Sequence, residues 1–407
     1  MLDFSAAVLV GLLELAFPLA VNYIIDELLP SEDFSIIMLA AFVLLMIYLL
    51  NTLLHFVVTY WGHMLGINIE TTMRRKLFEH LQSLSFGYFD NAKTGHSISR
   101  LTKDLEEIGE VAHHGPEDVF VAVMTLVGSL WIMLTIDVEL ALIIFTVVPL
   151  IVVFAIHFNK KMTKTFRRMF QDVANINARV EDSIGGIRVV KAFANEAYES
   201  DKFQENNMDY RTTKLSSYKI MAQNVTVNYL LMRLITLSTL MFGSYFVIDS
   251  SLSHGEFVAF ILLTNILIGP IQKINAVIES YPKGFAGFKR YTDVLDTEPT
   301  IKDRANALKT HVKADIIYKD VNFGYTKDQD VLTGINLTIK QGETVAFVGP
   351  TGAGKTTLCN LLPRFYEVTN GSITVGGVDI RDVKQRYLRE NIGVVQQDVF
   401  LFSGTVR

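Results

Sequence analysis

Gly349-Pro350-Thr351-Gly352-Ala353-Gly354-Lys355-Thr356, followed by Thr357, is the stretch of this 407-residue sequence whose residue types and spacing imply chemistry most directly. It fits the pattern G-x-x-x-x-G-K-[ST]. Glycine carries no Cβ, so the backbone can wrap close to an anion and turn several N–H groups toward phosphate oxygens. A helix opening at the lysine adds the partial positive charge of its N-terminus. Lys355 is then placed for the outer phosphates of a nucleotide, and the Thr356 hydroxyl for a magnesium ion. Such a loop needs an apolar strand before it and a helix after it; ETVAFVG and LCNLLPRFY are segments of those kinds.

The elements that must position this loop are unlike those of an ordinary soluble enzyme. Half of the residues are apolar and 19% are charged, where soluble domains carry about a quarter charged, and the mean hydropathy is +0.31. The net charge of −5 makes no case for a nucleic-acid partner. What matters is where the charge sits. No Lys or Arg precedes Arg74, none falls between Pro116 and Asn159, and Arg233 stands alone between Met221 and Gln272. Each gap holds apolar runs broken by a short acidic segment: DELLPSEDF, TID and DSSLSHGE. A helix needs about 20 apolar residues to cross a hydrocarbon core of about 30 Å, so each gap has room for two crossings joined by an outer hairpin. This predicts six membrane helices near 5–28, 34–62, 117–135, 138–158, 225–248 and 256–280. The positive-inside rule puts the basic stretches in the cytoplasm. A cleaved signal peptide is disfavoured, because the first span lacks a basic leader and carries Asp3 and Glu14. The chain begins almost inside that span, and a longer natural N-terminus is expected.

Residues 62–116 and 159–224 keep helical spacing, as in Ile176, Val180, Ile184 and Ile187. They read as helical arms extending the spans into the cytoplasm. Residues 281–314 form a polar linker, after which DIIYKDVNFGY, VLTGINLTI and ETVAFVG have the pattern of strands. The fold class is thus a polytopic α-helical membrane domain over 1–280, six long helices with cytoplasmic extensions, followed over 315–407 by an incomplete α/β phosphate-loop nucleotide-binding domain. Cys359, the one cysteine, is expected as a small core residue on the helix after the loop. His113 and His114 have no metal-ligand spacing along the chain and are read as interfacial. Pro18, Pro149 and Pro270 are expected to kink their helices.

From about Ala6 to Arg407 the chain resembles one half of an ABC exporter of the six-helix type, similar to bacterial multidrug and lipid exporters. Besides the phosphate loop, FGYFDNAKTGHSISRLTKDLEEI (86–108) looks like the family's first intracellular loop, which bears a coupling helix. VEDSIGGIRVVKAFANEAYESDKF (180–203) looks like the second, with a coupling helix near 194–202 that would dock on the partner subunit's nucleotide domain. In VNFGYTKDQDVLTGINLTI, Tyr325 matches the aromatic that stacks on adenine. In LRENIGVVQQDVFLFSGTVR, Gln397 rather than Gln396 matches the glutamine near magnesium and the attacking water. The resemblance therefore implies ATP and Mg²⁺ as cofactors. Lys355 and Gln397 would be catalytic, Thr356 and Gln397 would hold the metal, and Tyr325 with Gly349, Pro350, Thr351, Gly352, Ala353, Gly354, Lys355, Thr356 and Thr357 would bind the nucleotide.

It further implies a multi-pass protein of the cell membrane whose ATP-binding domain is cytoplasmic. Partners would be a second half-transporter chain, identical or not, the lipid bilayer, and a small-molecule, lipid or peptide cargo exported by alternating access. The alternative is an ATP-gated channel or a non-catalytic regulatory partner. An importer is disfavoured, because both domains share one chain in exporter order. The family pattern continues with an LSGGQ-type signature, a magnesium-binding Asp with a catalytic Glu, and a switch His. No LSGGQ-like segment occurs in these residues, so a polypeptide of these residues alone is expected to bind ATP weakly at best and not to turn it over. Glu14 and Arg233, the deepest ionisable residues of the predicted spans, are expected to face the translocation pathway, pairing being one way to compensate both. The opposing reading is that each snorkels or meets a polar neighbour.

Overall fold

The computed structural model describes residues 2–92, 94–309, 314–326, 329–395, 401–402 and 404–405. Six helical stretches among them are long and apolar enough to cross a bilayer: Asp3–Ser31, Phe34–Ser83, Ser97–Ile136, Val138–Gly185, Glu196–Ile248 and His254–Leu295. They are built from α1 (Leu2–Tyr23), α2 (Phe34–Ser83), α5 (Leu105–Ile136), α6 (Val138–Phe145), α7 (Val147–Gly185), α9 (Glu196–Ile248), α10 (His254–Ile266) and α11 (Ile268–Leu295); the short α3 (Phe86–Asn91) and α8 (Ile187–Ala192) lie between stretches, and α4 (Thr94–Ser99) leads into the third. The helix breaks have a covalent cause. A proline lacks an N–H, and its ring collides with the carbonyl four residues back. Helix α6 ends at Phe145, four before Pro149, and α10 ends at Ile266, four before Pro270. Pro18 lies within α1.

The chain divides into two compact units, one of residues 1–71 and 106–287, the other of 72–105 and 288–407. In the first, α7 runs along α9 and α1 along α10, around a core that includes Leu140, Ile144, Ile235, Phe260 and Leu263. Large apolar side chains point outward as well; Trp131 is 71% exposed, as expected where lipid replaces water around the helices. At Gly66 and Gly109 the backbones of α2 and α5 meet: a Cβ on either would stand 3.1–3.2 Å from the other's carbonyl oxygen, the close approach small residues permit between membrane helices. Helix α10 opens with a capping box, Ser253 and Glu256 each bonding the other's backbone. Ser253 Oγ also donates to Asp26 Oδ2, and Asp26 Oδ1 accepts the Gly255 N–H at 2.8 Å.

The structure corrects the pairing of Glu14 with Arg233. Glu14 Oε1 lies 3.6 Å from His55 Nε2, while the Arg233 guanidinium sits 5.1 Å from the centre of the Tyr229 ring. Glu14 on α1 thus meets a polar neighbour on α2, and Arg233 an aromatic one a turn back on its own helix α9. The second intracellular loop lies between α7 and α9. Its separate short helix is α8 (Ile187–Ala192), whereas residues 196–202 are the opening turns of the 53-residue α9. Gly186 ends α7, and Ala194 at φ +51° reverses the chain between α8 and α9.

The second unit contains β1 (Ile316–Phe323), β2 (Leu332–Ile339), α12 (Lys355–Leu361), β3 (Asn370–Val375), β4 (Val378–Asp379) and α13 (Gln385–Arg389). Its antiparallel sheet has the order β2-β1-β3-β4, with Ile316 paired to Ile339 on one side and to Val375 on the other. Alternate side chains of β1 and β3 (Tyr318, Val321, Phe323, Ile373) pack with Leu358 and Leu361 of α12. The strand expected through ETVAFVG does not form among the described residues: 343–349 joins no ladder, and Val348 is exposed. A central strand exists only through neighbours that take its N–H and C=O groups, and no described segment pairs with it. Cys359 is exposed, not in the core: Leu358 and Leu361 are the α12 side chains that pack on the sheet.

Candidate functional site

The phosphate loop is held between β2 and α12 of the second unit. Tyr318 on β1 donates its hydroxyl to the Leu358 carbonyl at 3.1 Å, fastening α12 to the sheet. Gly352 and Gly354 adopt φ +87° and +84°, a region that side-chain-bearing residues rarely enter. A Cβ at Gly354 would stand 2.6 Å from Leu332 Cδ2. The third and last glycine of the motif is therefore required twice, by its dihedral and by the packing of β2. Lys355 opens α12 and curls its ammonium back over the loop, donating to the carbonyls of Gly349 and Pro350 at 2.8 Å each. Its charge thus sits where the loop wraps, not out in solvent.

Thr357 is buried and its hydroxyl lies 3.1 Å from that of Tyr325. Thr356 is exposed in the first turn of α12, and no described group bonds its hydroxyl. A free, hard oxygen donor beside a phosphate cradle suits magnesium. Tyr325 is half exposed, with its ring edge-on to Tyr366 at 5.1 Å and to Phe323 at 5.0 Å. The structure therefore brings together Tyr325, Gly349, Pro350, Thr351, Gly352, Ala353, Gly354, Lys355, Thr356 and Thr357. Gln397, with Gln396, lies outside the described residues.

Sequence reasoning missed Tyr366. Its hydroxyl donates to Asp90 Oδ2 of α3 at 2.8 Å, and Phe365 beside it stacks on Phe86 at 4.3 Å. Burial and the bond to Asp90 push the Tyr366 phenol well above the usual tyrosine range. The short helix of the first intracellular loop is thereby docked on the nucleotide-domain surface of its own chain, with Ser85 Oγ accepting the Ile301 N–H at 3.0 Å. Asp104, buried at the base of the same loop, takes two bonds from Arg290, at 2.7 and 2.8 Å. The sequence signal was available in the apolar-aromatic FGYF and RFY segments.

In the first unit, His113 is buried and stands beside His114 and His63 on the wall of a cavity. Its third neighbour comes from α2, fifty residues earlier, so spacing along the chain could not reveal it.

Comparisons with known proteins agree with these features. Residues 1–271 match the ABC transporter transmembrane region family, and residues 332–407 match the ABC transporter family of ATP-binding domains. The chain is 56% identical over 407 residues to the ABC transporter ATP-binding protein YwjA of Bacillus subtilis, covering all of this chain and 71% of that protein. It is 34% identical over 344 residues to the ATP-dependent lipid A-core flippase of Syntrophus aciditrophicus, covering 84% of this chain and 57% of that one. A bacterial Atm1-family ABC exporter, solved with ATP bound, shares the fold at a TM-score of 0.79 and 22% identity, over 98% of this chain and 71% of that chain. With a six-helix membrane domain followed in the same chain by a phosphate-loop domain, the chain belongs to the ABC transporter family and is of the exporter type.

Proposed function

We propose that this chain is one half of a dimeric exporter, in which ATP held by the phosphate loop drives a cargo outward by alternating access. The observation that carries the reading is the linkage inside the second unit. Tyr325, which would stack on the adenine, contacts Tyr366, and Tyr366 holds Asp90 of the intracellular-loop helix α3. Nucleotide occupancy can thereby bear on the short helix of the first intracellular loop. Lys355 would leave the Gly349 and Pro350 carbonyls for the outer phosphates, and the loop N–H groups would take the oxygens between. Thr356, with Gln397, would hold magnesium, which when bound offsets charge on the transferring phosphate.

A second chain is supported by what the helical arm leaves uncovered. Val180, Ile184 and Ile187 follow one another at helical spacing and are all exposed, and Phe193 at the turn after α8 is 78% exposed. We place that apolar tip against the partner's nucleotide domain. A closed dimer would bind ATP more tightly than an open one, and this differential affinity is what can shift the membrane domain between its two states. The cargo is a small molecule, lipid or peptide; the likeness to a lipid A-core flippase makes an amphiphile the first to try. ATPase activity of the full-length protein in lipid, screened against lipids and amphiphilic drugs, tests the reading. Stimulation that disappears in Lys355→Ala supports it; nucleotide-dependent ion conductance without cargo movement would favour a channel instead.

A further inference from the structure

The first unit contains an open-sided cavity of about 450 Å³ whose wall includes His63, His113, His114, Glu117, Asp118 and Lys273. We infer that this cavity holds a binding site for a divalent transition-metal ion of the zinc class, with His63, His113 and His114 as its imidazole ligands. Nothing in the phosphate-loop chemistry uses these groups.

The first argument is donor geometry. One donor atom from each of the three histidines lies within 4.8 Å of the other two, and Asp3, His113 and Glu117 form a second triplet that shares His113. Tetrahedral zinc with bonds of about 2.0–2.1 Å needs its donors about 3.3 Å apart, so modest side-chain rotations close the set. The rings are already oriented. The His63 Nδ1–H can donate to the Thr59 carbonyl at 2.7 Å, which leaves Nε2 with its lone pair. His114 Nδ1 faces Asp118 Oδ2 at 3.5 Å, and Lys273 holds the other oxygen of Asp118 at 3.0 Å. Carboxylates and carbonyls behind the ring are what fix a ligating histidine. His113 packs against Gly62 of α2, where a Cβ would stand 1.9 Å from its Cε1.

The second argument is charge. Asp3 Oδ1 and Glu117 Oε2 are buried without a hydrogen-bond partner, and Glu117 is 8% exposed. Asp3 and Glu117 lie 3.8 and 3.4 Å from His113 Nδ1. Glu110 Oε2 lies 3.6 Å from His114 Nε2, so carboxylates surround the histidines, and among the described residues Lys273 is paired with Asp118. Buried charge is normally paired or bound to a metal, and a divalent cation among the histidines would compensate these carboxylates. Three nitrogens with a carboxylate oxygen nearby, and no thiol, select zinc, cobalt or nickel over soft ions. The cavity leaves room for further ligands on the ion.

The test is Co²⁺ titration of the metal-stripped, full-length protein in detergent, followed by competition with Zn²⁺. The expected result is one Co²⁺ per chain with the intense visible absorption of a tetrahedral site, displaced by Zn²⁺. His63→Gln and His114→Gln should each weaken binding at least about tenfold. Gly62→Ala should weaken it too, although it removes no donor. Zn²⁺ should raise the melting temperature of the wild type and not that of His63→Gln, a variant at an exposed position. Wild-type protein that hydrolyses ATP yet binds cobalt no more tightly than a variant with all three histidines changed to Gln would overturn the assignment. So would binding that survives His63→Gln and His114→Gln unchanged.

Discussion

Tyr366 donates its hydroxyl to the carboxylate of Asp90 at 2.8 Å, so a residue just beyond the phosphate-loop helix holds the short helix α3 of the first intracellular loop. The same ring meets Tyr325 edge-on. Tyr366→Phe keeps the ring contacts to Phe86, Phe323 and Tyr325 and removes only the hydroxyl. It should cost about 1 kcal/mol of stability and leave basal ATPase near wild type, while cargo stimulation of ATPase falls. Stimulation measured in lipid, beside a melting curve, separates the two effects; full stimulation in Tyr366→Phe would remove Asp90–Tyr366 from the coupling route.

Gly354→Ala should abolish ATP binding more completely than its cost in stability suggests. The left-handed dihedral alone costs an alanine about 1–3 kcal/mol, and the new methyl would press on Leu332. Relief requires the loop to unwrap, which disperses the N–H groups. By contrast, Lys355→Ala loses only bonds to the Gly349 and Pro350 carbonyls. It should weaken ATP binding with the melting temperature unchanged. Nucleotide titration followed by scanning calorimetry distinguishes them.

Arg290→Ala should destabilise the second unit by about 1.5–3 kcal/mol, the range for a charged hydrogen-bonded partner, because Asp104 is left buried with its bidentate partner gone. The double variant with Asp104→Asn should recover part of the loss. Urea melts of the two variants provide the comparison.

Phe193→Ser should leave the melting temperature of the isolated chain unchanged, since the ring is 78% exposed. Cargo-stimulated ATPase of the assembled transporter should fall, because the tip would lose its seat on the partner. Equal stimulation in wild type and variant would argue against that docking.

Acid should act on the second unit through Asp379. Burial opposes its ionisation, but bonds from Arg381 and from the Arg381 N–H win, holding the carboxyl below its ordinary range. A group depressed in the folded state contributes stability that is full above its unfolded value, about 3.9, and fades as pH falls through the folded one. Asp379→Asn should therefore lower stability at neutral pH and narrow its difference from wild type below pH 4 in pH-dependent urea melts.

Much of this was legible from residue order. Runs of apolar residues without Lys or Arg reported the six spans because the bilayer demands them locally, and Gly349–Thr357 reported the phosphate loop because the dihedral and lysine requirements are local too. Four features depended on distant partners. Residues 343–349 have a strand's composition, but a strand exists only when paired. Cys359 was misplaced because which side of α12 meets the sheet is a matter of packing. Glu14 found His55 and not Arg233, since nothing in the sequence ranks partners in space. His63 joins His113 only because Gly66 and Gly109 let α2 and α5 approach.

The central claim is that nucleotide in the phosphate loop decides which side of the bilayer the membrane cavity opens to. Ala276→Cys, on the cavity wall of α11, in a Cys359→Ser background of the full-length protein allows that to be measured with an impermeant maleimide applied from either side of the membrane. With ATP and magnesium, labelling from the cytoplasmic side should slow several-fold while labelling from the outer side quickens, and Lys355→Ala should abolish both changes. Labelling rates that ignore nucleotide, in a preparation that hydrolyses ATP, would contradict the account.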